Sequence, residues 1–405
     1  MVAVTVTETD ILAPQDWNFP VPIAYGPGRL REIGAFCAKA GMARPLIATD
    51  RGSAGLPFVA DLMAYLADAG LSAALYSDIS PNPRDDEIAG GKARFLAGGH
   101  DGVIAIGGGS GMDGGKAIAL TAQNDLDLWA FEYEKTPPDM TGQDGFPPLI
   151  CIPTTAGTGA ETDSTAMITD TARAMKWCLW HPDLKPALAL LDPELTLGLP
   201  PDLTAWTGAD ALVHAIEAYS VPGFHPLCDG MALEALRLVS RWLPVAVREP
   251  ENLEARGAML VGSCLAGIAF LKGLGLVHAI SHMVGAEYDT QHGLTNAVLL
   301  PAVLRFNAPA LTDKLPAMCQ AIGAEAEGFE AFHARICALL DAVGIPVRLA
   351  DIGVPESCAP RIAEKAMQDS AAATNPRAVT ADAVARVIRE AIKTGRHGSG
   401  GRAID

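Results

Sequence analysis

Up to about residue 193, short apolar runs alternate with stretches of helical period. The runs lie in PLIATD (45–50), SAALYSD (72–78), GVIAIGGGS (102–110), PPLICIPTT (147–155) and ALALLDP (187–193), and they end at glycine, aspartate or proline. Strands that are apolar on both faces are covered on both faces, so the pattern predicts a parallel sheet flanked by helices, as in dinucleotide-binding α/β domains. From about residue 194 the period lengthens. DLTAWTGADALVHAIEAYS, PLCDGMALEALRLVSRWLPVAV and ENLEARGAMLVGSCLAGIAFL space their apolar residues three and four apart, which predicts an all-helical second half. Pro200-Pro201 followed by Asp202 is a stop and a helix start. The expected division is therefore 1–193 as the α/β domain and 194–405 as the helical domain, with 394–405 as a loose tail. The longest low-polarity run, AMLVGSCLAGIAFL at 258–271, is 14 residues. That is short of the roughly 20 needed to cross a bilayer, so it is expected to be a buried helix.

Charge and cysteine content narrow the function. The 405 residues carry 47 acidic against 30 basic side chains, a net charge of −17, which disfavours nucleic acid and anionic membranes as partners and favours solubility. Eight cysteines occur without a CxxC pair. Together with an N-terminus, MVAVTVTETDILAPQDW, that has no basic region before an apolar core, this predicts a reduced, cytoplasmic protein.

In GVIAIGGGSGMDGGKAIAL a strand runs through glycines into a helix. Gly107, Gly108 and Gly109 let the backbone approach a ligand, and the amides of Ser110 and Gly111 at the helix start favour an anion such as a pyrophosphate. Gly109, Gly111 and Gly114 satisfy G-x-G-x-x-G, yet no convincing acid follows about 20 residues later. It is not a Walker A loop either, since Ser110 and Ala117 stand at the wrong positions. Asp50, closing PLIATD, is the better ribose partner, and it would repel a 2′-phosphate. The competing reading of Asp50 is a cap for the segment after it.

Asp210 and His214 are four apart, as are His278 and His282, and His292 follows beside Gly293. On helices these pairs share a face. One carboxylate with several neutral imidazoles suits a first-row divalent metal. Spacing alone leaves open which of His278, His282 and His292 is spared.

GGGSGMDGGK (107–116), PTTAGTGAE (153–161), GADALVHAIEAY (208–219) and GLGLVHAISHMVGAEYDTQHGLTNAVLLP (273–301) resemble the iron-dependent (group III) alcohol dehydrogenase family of the dehydroquinate synthase-like superfamily. The similarity is collinear from about residue 20 to about 393. The resemblance implies a metal on Asp210, His214, His278 and His292, with His282 left near the substrate as a proton relay. It implies NAD contacts at Asp50, Asn82, Gly108, Gly109, Ser110, Thr154, Thr155 and Thr158, and further at Asp113, Lys176 and Leu195. The ion implied is Fe(2+), with Zn(2+) the alternative because it binds such donors more tightly. The activity implied is hydride transfer between an alcohol, or the corresponding aldehyde, and nicotinamide, with the cation stabilising charge on the substrate oxygen. Family members form dimers through an N-terminal strand, for which FPVPIAYGPG (19–28) is the candidate.

Three rival readings are a dehydroquinate synthase-type lyase, a metal-free maleylacetate reductase-like enzyme and a pseudoenzyme acting as an oligomeric scaffold, the last opposed by the intact cofactor and metal motifs. The first needs a basic cluster for phosphate, which is not evident, and the complete Asp/His set opposes the second. AFLKGLGLVH departs from commoner relatives and brings Lys272 close in sequence to the metal segment. Its ammonium is a candidate for an acidic substrate tail; the blander reading is a surface or helix-end lysine.

Overall fold

The structure, a computed structural model, describes residues 15–17, 21–141, 145–173 and 175–397. Two compact units divide the chain. One runs through Thr155 and resumes at Ala160–Gly198; the other takes Ala156–Gly159 and everything from Leu199 onward.

Among the described residues the first unit has nine strands: β1 (Gln15–Trp17), β2 (Ile23–Tyr25), β3 (Pro45–Asp50), β4 (Ala74–Ile79), β5 (Gly102–Gly107), β6 (Leu149–Pro153), β7 (Thr165–Asp170), β8 (Met175–Trp180) and β9 (Leu188–Leu191). Seven form one sheet in the order β1-β2-β9-β6-β5-β3-β4. Its pairings are parallel except β1 with β2. Helices α1 (Ile33–Lys39), α2 (Pro57–Asp68), α3 (Asp85–Ala97) and α4 (Gly109–Thr121) complete the unit. The apolar runs follow from this double coverage. Along β5, Ile104 and Ile106 join a core with Ile47, Leu62 and Leu66. Val103 and Ala105 join the opposite core with Ile88, Phe95 and Ile118. The separate antiparallel hairpin of β7 and β8 was not anticipated. Its first strand alternates half-buried and buried residues, a pattern that hides among Thr- and Asp-containing sequence.

After β3 the chain places β4 on one side and β5 on the other. The carboxyl ends of β3 and β5 therefore flank the point where strand order reverses, where α/β sheets bind their ligands. Asp50 and Gly107 are the last residues of those strands. Helix α4 is pinned by Lys116, fully buried, whose Nζ lies 2.6 Å from Asp163 Oδ1.

The second unit consists of α5 (Pro201–Ser220), α6 (Pro226–Arg248), α7 (Leu253–Ala269), α8 (Leu276–Tyr288), α9 (His292–Asn307), α10 (Leu315–Ile322), α11 (Phe329–Ala342), α12 (Ala359–Ala366), α13 (Ser370–Ala373) and α14 (Ala381–Lys393). Helix α5 is buried over nearly its whole length and packs against α6, α7 and α9. Helix α7, extended by a 3-10 turn to Lys272, is apolar and long enough to cross a membrane by composition, but 72% of its most apolar window is buried within the chain. It is a core helix.

The strand in FPVPIAYGPG is flanked on both sides within the chain, since β2 pairs with β9 and β1; Phe19 and Pro20 lie outside the described residues. The tail does not begin at 394. Arg396 is buried, with Nε 2.6 Å from Asp341 Oδ1, and Arg305 Nη2 donates to the Gly395 carbonyl at 2.6 Å. Residues 398–405 lie outside the described residues.

Candidate metal centre and cofactor residues

Helix α5 carries Asp210 and His214 one turn apart, α8 carries His278, and α9 begins at His292. Asp210 Oδ1 lies 3.9 Å from His214 Nε2, 3.8 Å from His278 Nε2 and 3.7 Å from His292 Nε2. One ligand atom from each of the four side chains falls within 4.8 Å of all the others. The fold brings His292 back by a tight reversal. Helix α8 ends at Asp289 in the left-handed conformation, φ 52°, which aspartate tolerates better than most residues. The Gln291 side chain then caps α9 by accepting from Leu294 N at 2.7 Å.

Hydrogen bonds at the far ring nitrogens set the tautomers. His214 Nδ1 is 3.2 Å from the Gly157 carbonyl, so it donates there and leaves Nε2 with its lone pair. His278 Nδ1 donates to Glu217 Oε2 at 2.7 Å. Glu217 also accepts from the amides of Val277 at 2.7 Å, Gly275 at 3.0 Å and His278 at 3.4 Å, at the start of α8. Burial pushes its carboxyl up to about 7, so the charged form rests on those donors and on the helix start. Burial, with His214 beside it, holds His278 well below the usual imidazole range; it stays neutral, as a ligand must. Burial opposes ionisation of Asp210, but His214, His292, His278 and the Asn296 amide outweigh it and lower its pKa. Three imidazole nitrogens and a carboxylate oxygen, with His214 and His278 oriented by hydrogen bonds at their far ring nitrogens, fit a first-row divalent cation.

Gly157 reaches His214 because PTTAGTGA is packed through glycines. A Cβ on Gly157 would sit 2.7 Å from the Thr207 carbonyl, and one on Gly159 would sit 2.5 Å from Gly267 Cα.

His282 stays outside this set. Its Nδ1 meets Asp369 Oδ2 at 2.8 Å, and its ring stacks on His292 at 5.3 Å between centroids. His292 is 34% exposed whereas Asp210, His214 and His278 are 5% or less, so the open side of the cluster is the His282–His292 side. Lys272 lies at a helix end, closing the 3-10 turn that follows α7. Its side chain is 4% exposed, and its Nζ lies 2.6 Å from Asp229 Oδ1, so the ammonium is already paired with a carboxylate.

Sequence reasoning missed Glu217 and Asp369. Glu217 follows Asp210 by seven residues, two turns along the same helix face, so the period was its signal. Asp369 is 87 residues from His282, and no local pattern announces it.

In the first unit, six of the cofactor candidates, Asp50, Gly108, Gly109, Ser110, Thr154 and Thr155, lie at the carboxyl ends of β3, β5 and β6. Gly107 has φ +143°, a Cβ there would meet Asp50 Oδ2 at 3.1 Å, and one on Gly111 would meet the Ile106 carbonyl at 2.9 Å. Gly108 precedes α4 with no side-chain cap, which leaves the first amides of Gly109 and Ser110 available. A Cβ on Gly108 would be 3.5 Å from Thr155, and Thr154 N donates to the Gly107 carbonyl at 2.9 Å. Ser110 Oγ donates to the Pro81 carbonyl at 2.5 Å, and Lys176 Nζ meets Asn82 Oδ1 at 3.3 Å. Burial pushes Asp113, on α4, up to about 6, with Lys116 opposing. Asp50 does cap its own turn: Oδ1 accepts from Ser53 N at 3.0 Å and Oδ2 from Ser53 Oγ at 2.7 Å. The last two candidates lie elsewhere. Leu195 packs on the apolar layer of the sheet, and Thr158 belongs to the second unit.

Known proteins resemble the chain along nearly its full length. The profile described as "Iron-containing alcohol dehydrogenase" matches residues 20–193, and "Fe-containing alcohol dehydrogenase family, C-terminal" matches 204–392. The NAD-dependent methanol dehydrogenase of Bacillus methanolicus is 36% identical over 93% of the chain and 100% of the relative. The 1,3-propanediol dehydrogenase of Klebsiella pneumoniae is 35% identical over 93% of the chain and 98% of the relative. A crystal structure of 1,3-propanediol oxidoreductase superposes with a TM-score of 0.87 at 35% identity, covering 94% of this chain and 100% of that one. With both halves matched and the four side chains converging, the chain belongs to the iron-containing alcohol dehydrogenase family.

Proposed function

We propose that the chain is a metal-dependent, NAD-linked alcohol dehydrogenase that runs in reverse as an aldehyde reductase. The observation that carries the reading is the convergence of Asp210 Oδ1 with the Nε2 atoms of His214, His278 and His292, each ring of the first pair oriented by a hydrogen bond at Nδ1. A divalent cation held by these side chains, Fe(2+) with Zn(2+) as the alternative, supplies Lewis acidity toward a substrate oxygen. The names of the relatives, a methanol and a 1,3-propanediol dehydrogenase, support a small alcohol or its aldehyde as substrate.

The residues around the set divide the remaining work. Glu217 fixes the tautomer of His278 and the Gly157 carbonyl fixes that of His214. Asp369 holds His282 by Nδ1, which turns Nε2 into the acceptor for the proton leaving the substrate hydroxyl. His282 passes that proton outward on the exposed side of the cluster. In the first unit, the amides of Gly109 and Ser110 at the start of α4 would hold the pyrophosphate of NAD, with Gly108 leaving room for it. Asp50 accepts from the adenosine ribose and disfavours a 2′-phosphate. Asn82, Asp113, Thr154, Thr155, Thr158, Lys176 and Leu195 complete the cofactor set. The eight cysteines, none of them in a disulfide among the described residues, support a reducing, cytoplasmic setting. Strand β1, at the edge of the sheet, is the element offered for a homodimer or higher homo-oligomer.

The test is NADH formation by anaerobically Fe(II)-loaded protein on short diols, linear alcohols and hydroxy acids, with metal analysis on the same sample. His278→Ala is expected to lose metal and turnover together. A metal-loaded, full-rate His278→Ala protein overturns the reading.

A further inference from the structure

Asn296 stands one turn along α9 from His292 and is fully buried. Its Nδ2 lies 2.7 Å from Asp210 Oδ1, 3.1 Å from His278 Nε2 and 3.1 Å from His292 Nε2. These are three of the four atoms assigned above to the cation. The His278 ring donates from Nδ1 to Glu217, so its Nε2 can only accept, and Asp210 accepts as well. The amide orientation follows: a carbonyl turned inward would face a carboxylate and imidazole lone pairs. Asn296 Oδ1, by contrast, is buried without a hydrogen-bond partner among the described residues. A side chain that leaves its own oxygen unpaired in order to aim two N–H groups at a ligand set is placed for that set.

We propose that the Asn296 amide is a built-in placeholder for the cation, a positioning residue whose N–H groups hold Asp210, His278 and His292 together when no ion is bound. The proposal rests on the metal-site reading. Without the placeholder, a buried carboxylate and imidazole lone pairs would lie close together with nothing between them, which is costly in a dry interior. With the ion present, the same atoms are satisfied by the cation, and the amide contributes little. Asn296 thus stabilises the ion-free protein selectively and narrows the gain in stability that the ion brings.

The experiment compares thermal midpoints of chelator-stripped and Zn(II)- or Fe(II)-loaded protein, with dissociation constants from chelator competition, for wild type, Asn296→Leu and Asn296→Asp. Asn296→Leu is expected to lower the midpoint of the stripped protein by about 4 °C or more and the loaded midpoint by less, so that its ion-induced shift exceeds that of wild type. Asn296→Asp, which keeps the shape but places a second carboxylate beside Asp210, is expected to widen the shift further and to bind the ion at least tenfold more tightly. Equal losses in stripped and loaded Asn296→Leu, or an unchanged shift in both variants, would mean a packing role and overturn the placeholder. A wild type that binds neither ion overturns the metal-site reading itself, and the placeholder with it.

Discussion

Gly293 faces the backbone carbonyl of Trp206 so closely that no side chain fits between α9 and α5; a Cβ there would also lie 3.0 Å from Asp210 Cβ. The residue beside His292 is therefore what lets α9 reach the helix that carries Asp210. Gly293→Ala must push the two helices apart, because the obstructing atoms are backbone. Expected consequences are a loss of about 1–3 kcal/mol of stability and a drop in bound metal of at least tenfold. Metal analysis and urea melts check this, and normal metal content in Gly293→Ala contradicts it.

Glu217 reaches the proposed ion only through the His278 ring. Glu217→Gln keeps the volume, but its NH2 group would turn toward donors that already fill the site. We expect metal affinity to fall about 10- to 100-fold, the usual cost of losing a carboxylate behind a ligand histidine. Chelator competition measures it, and an unchanged dissociation constant removes the orienting role.

Cofactor choice should respond to Asp50 independently of stability. In Asp50→Asn the side-chain oxygen can still accept from Ser53 N, so the turn after β3 persists, but the charge that repels a 2′-phosphate is gone. The ratio of kcat/KM for NADP over NAD is expected to rise about tenfold or more, the effect of removing one like-charge contact of about 1–2 kcal/mol. A ratio that stays flat would place the ribose elsewhere.

Acid sensitivity has a contribution far from the metal. His333 is pushed down to about 4, first by burial and then by Arg305, against a hydrogen bond to the Pro301 carbonyl; its Nε2 lies 3.0 Å from Arg305 Nη1 and 3.1 Å from the Pro301 oxygen. Between about 6.5 and 4 the unfolded chain takes up a proton that the folded ring refuses, so the stability present above this window is lost as pH falls through it. His333→Gln, whose amide offers a donor and an acceptor but does not titrate, is expected to flatten that part of the curve. Urea melts at pH 7 and 5 compare the two proteins, and identical pH slopes would count against the assignment.

How much was readable beforehand follows from where each signal is stored. PLIATD coincides with β3 residue for residue, because a strand covered on both faces writes its burial as an unbroken apolar run. Asp210 and His214 pair visibly because one helical turn fixes their geometry. Spacing could not say which imidazole of the second group is spared, since His278 and His282 are related as Asp210 and His214 are. That choice depends on where α9 returns His292 and on the meeting of His282 with Asp369, a contact across 87 positions. Asn296 was equally silent: a buried amide in an apolar helix has no periodic signature, and its role emerges only from the three acceptors around it.

The reversal between α8 and α9 has a consequence for how this scaffold tolerates change in length. Only Asp289, Thr290 and Gln291 separate the two helices, and the helices on either side carry groups that must meet at one point. One inserted residue would rotate α9 by about 100° about its axis, and His292 would swing away from His278. Surface loops elsewhere in the chain can grow or shrink at modest entropic cost; this connection is a ruler, and its three residues set the distance that the chemistry requires.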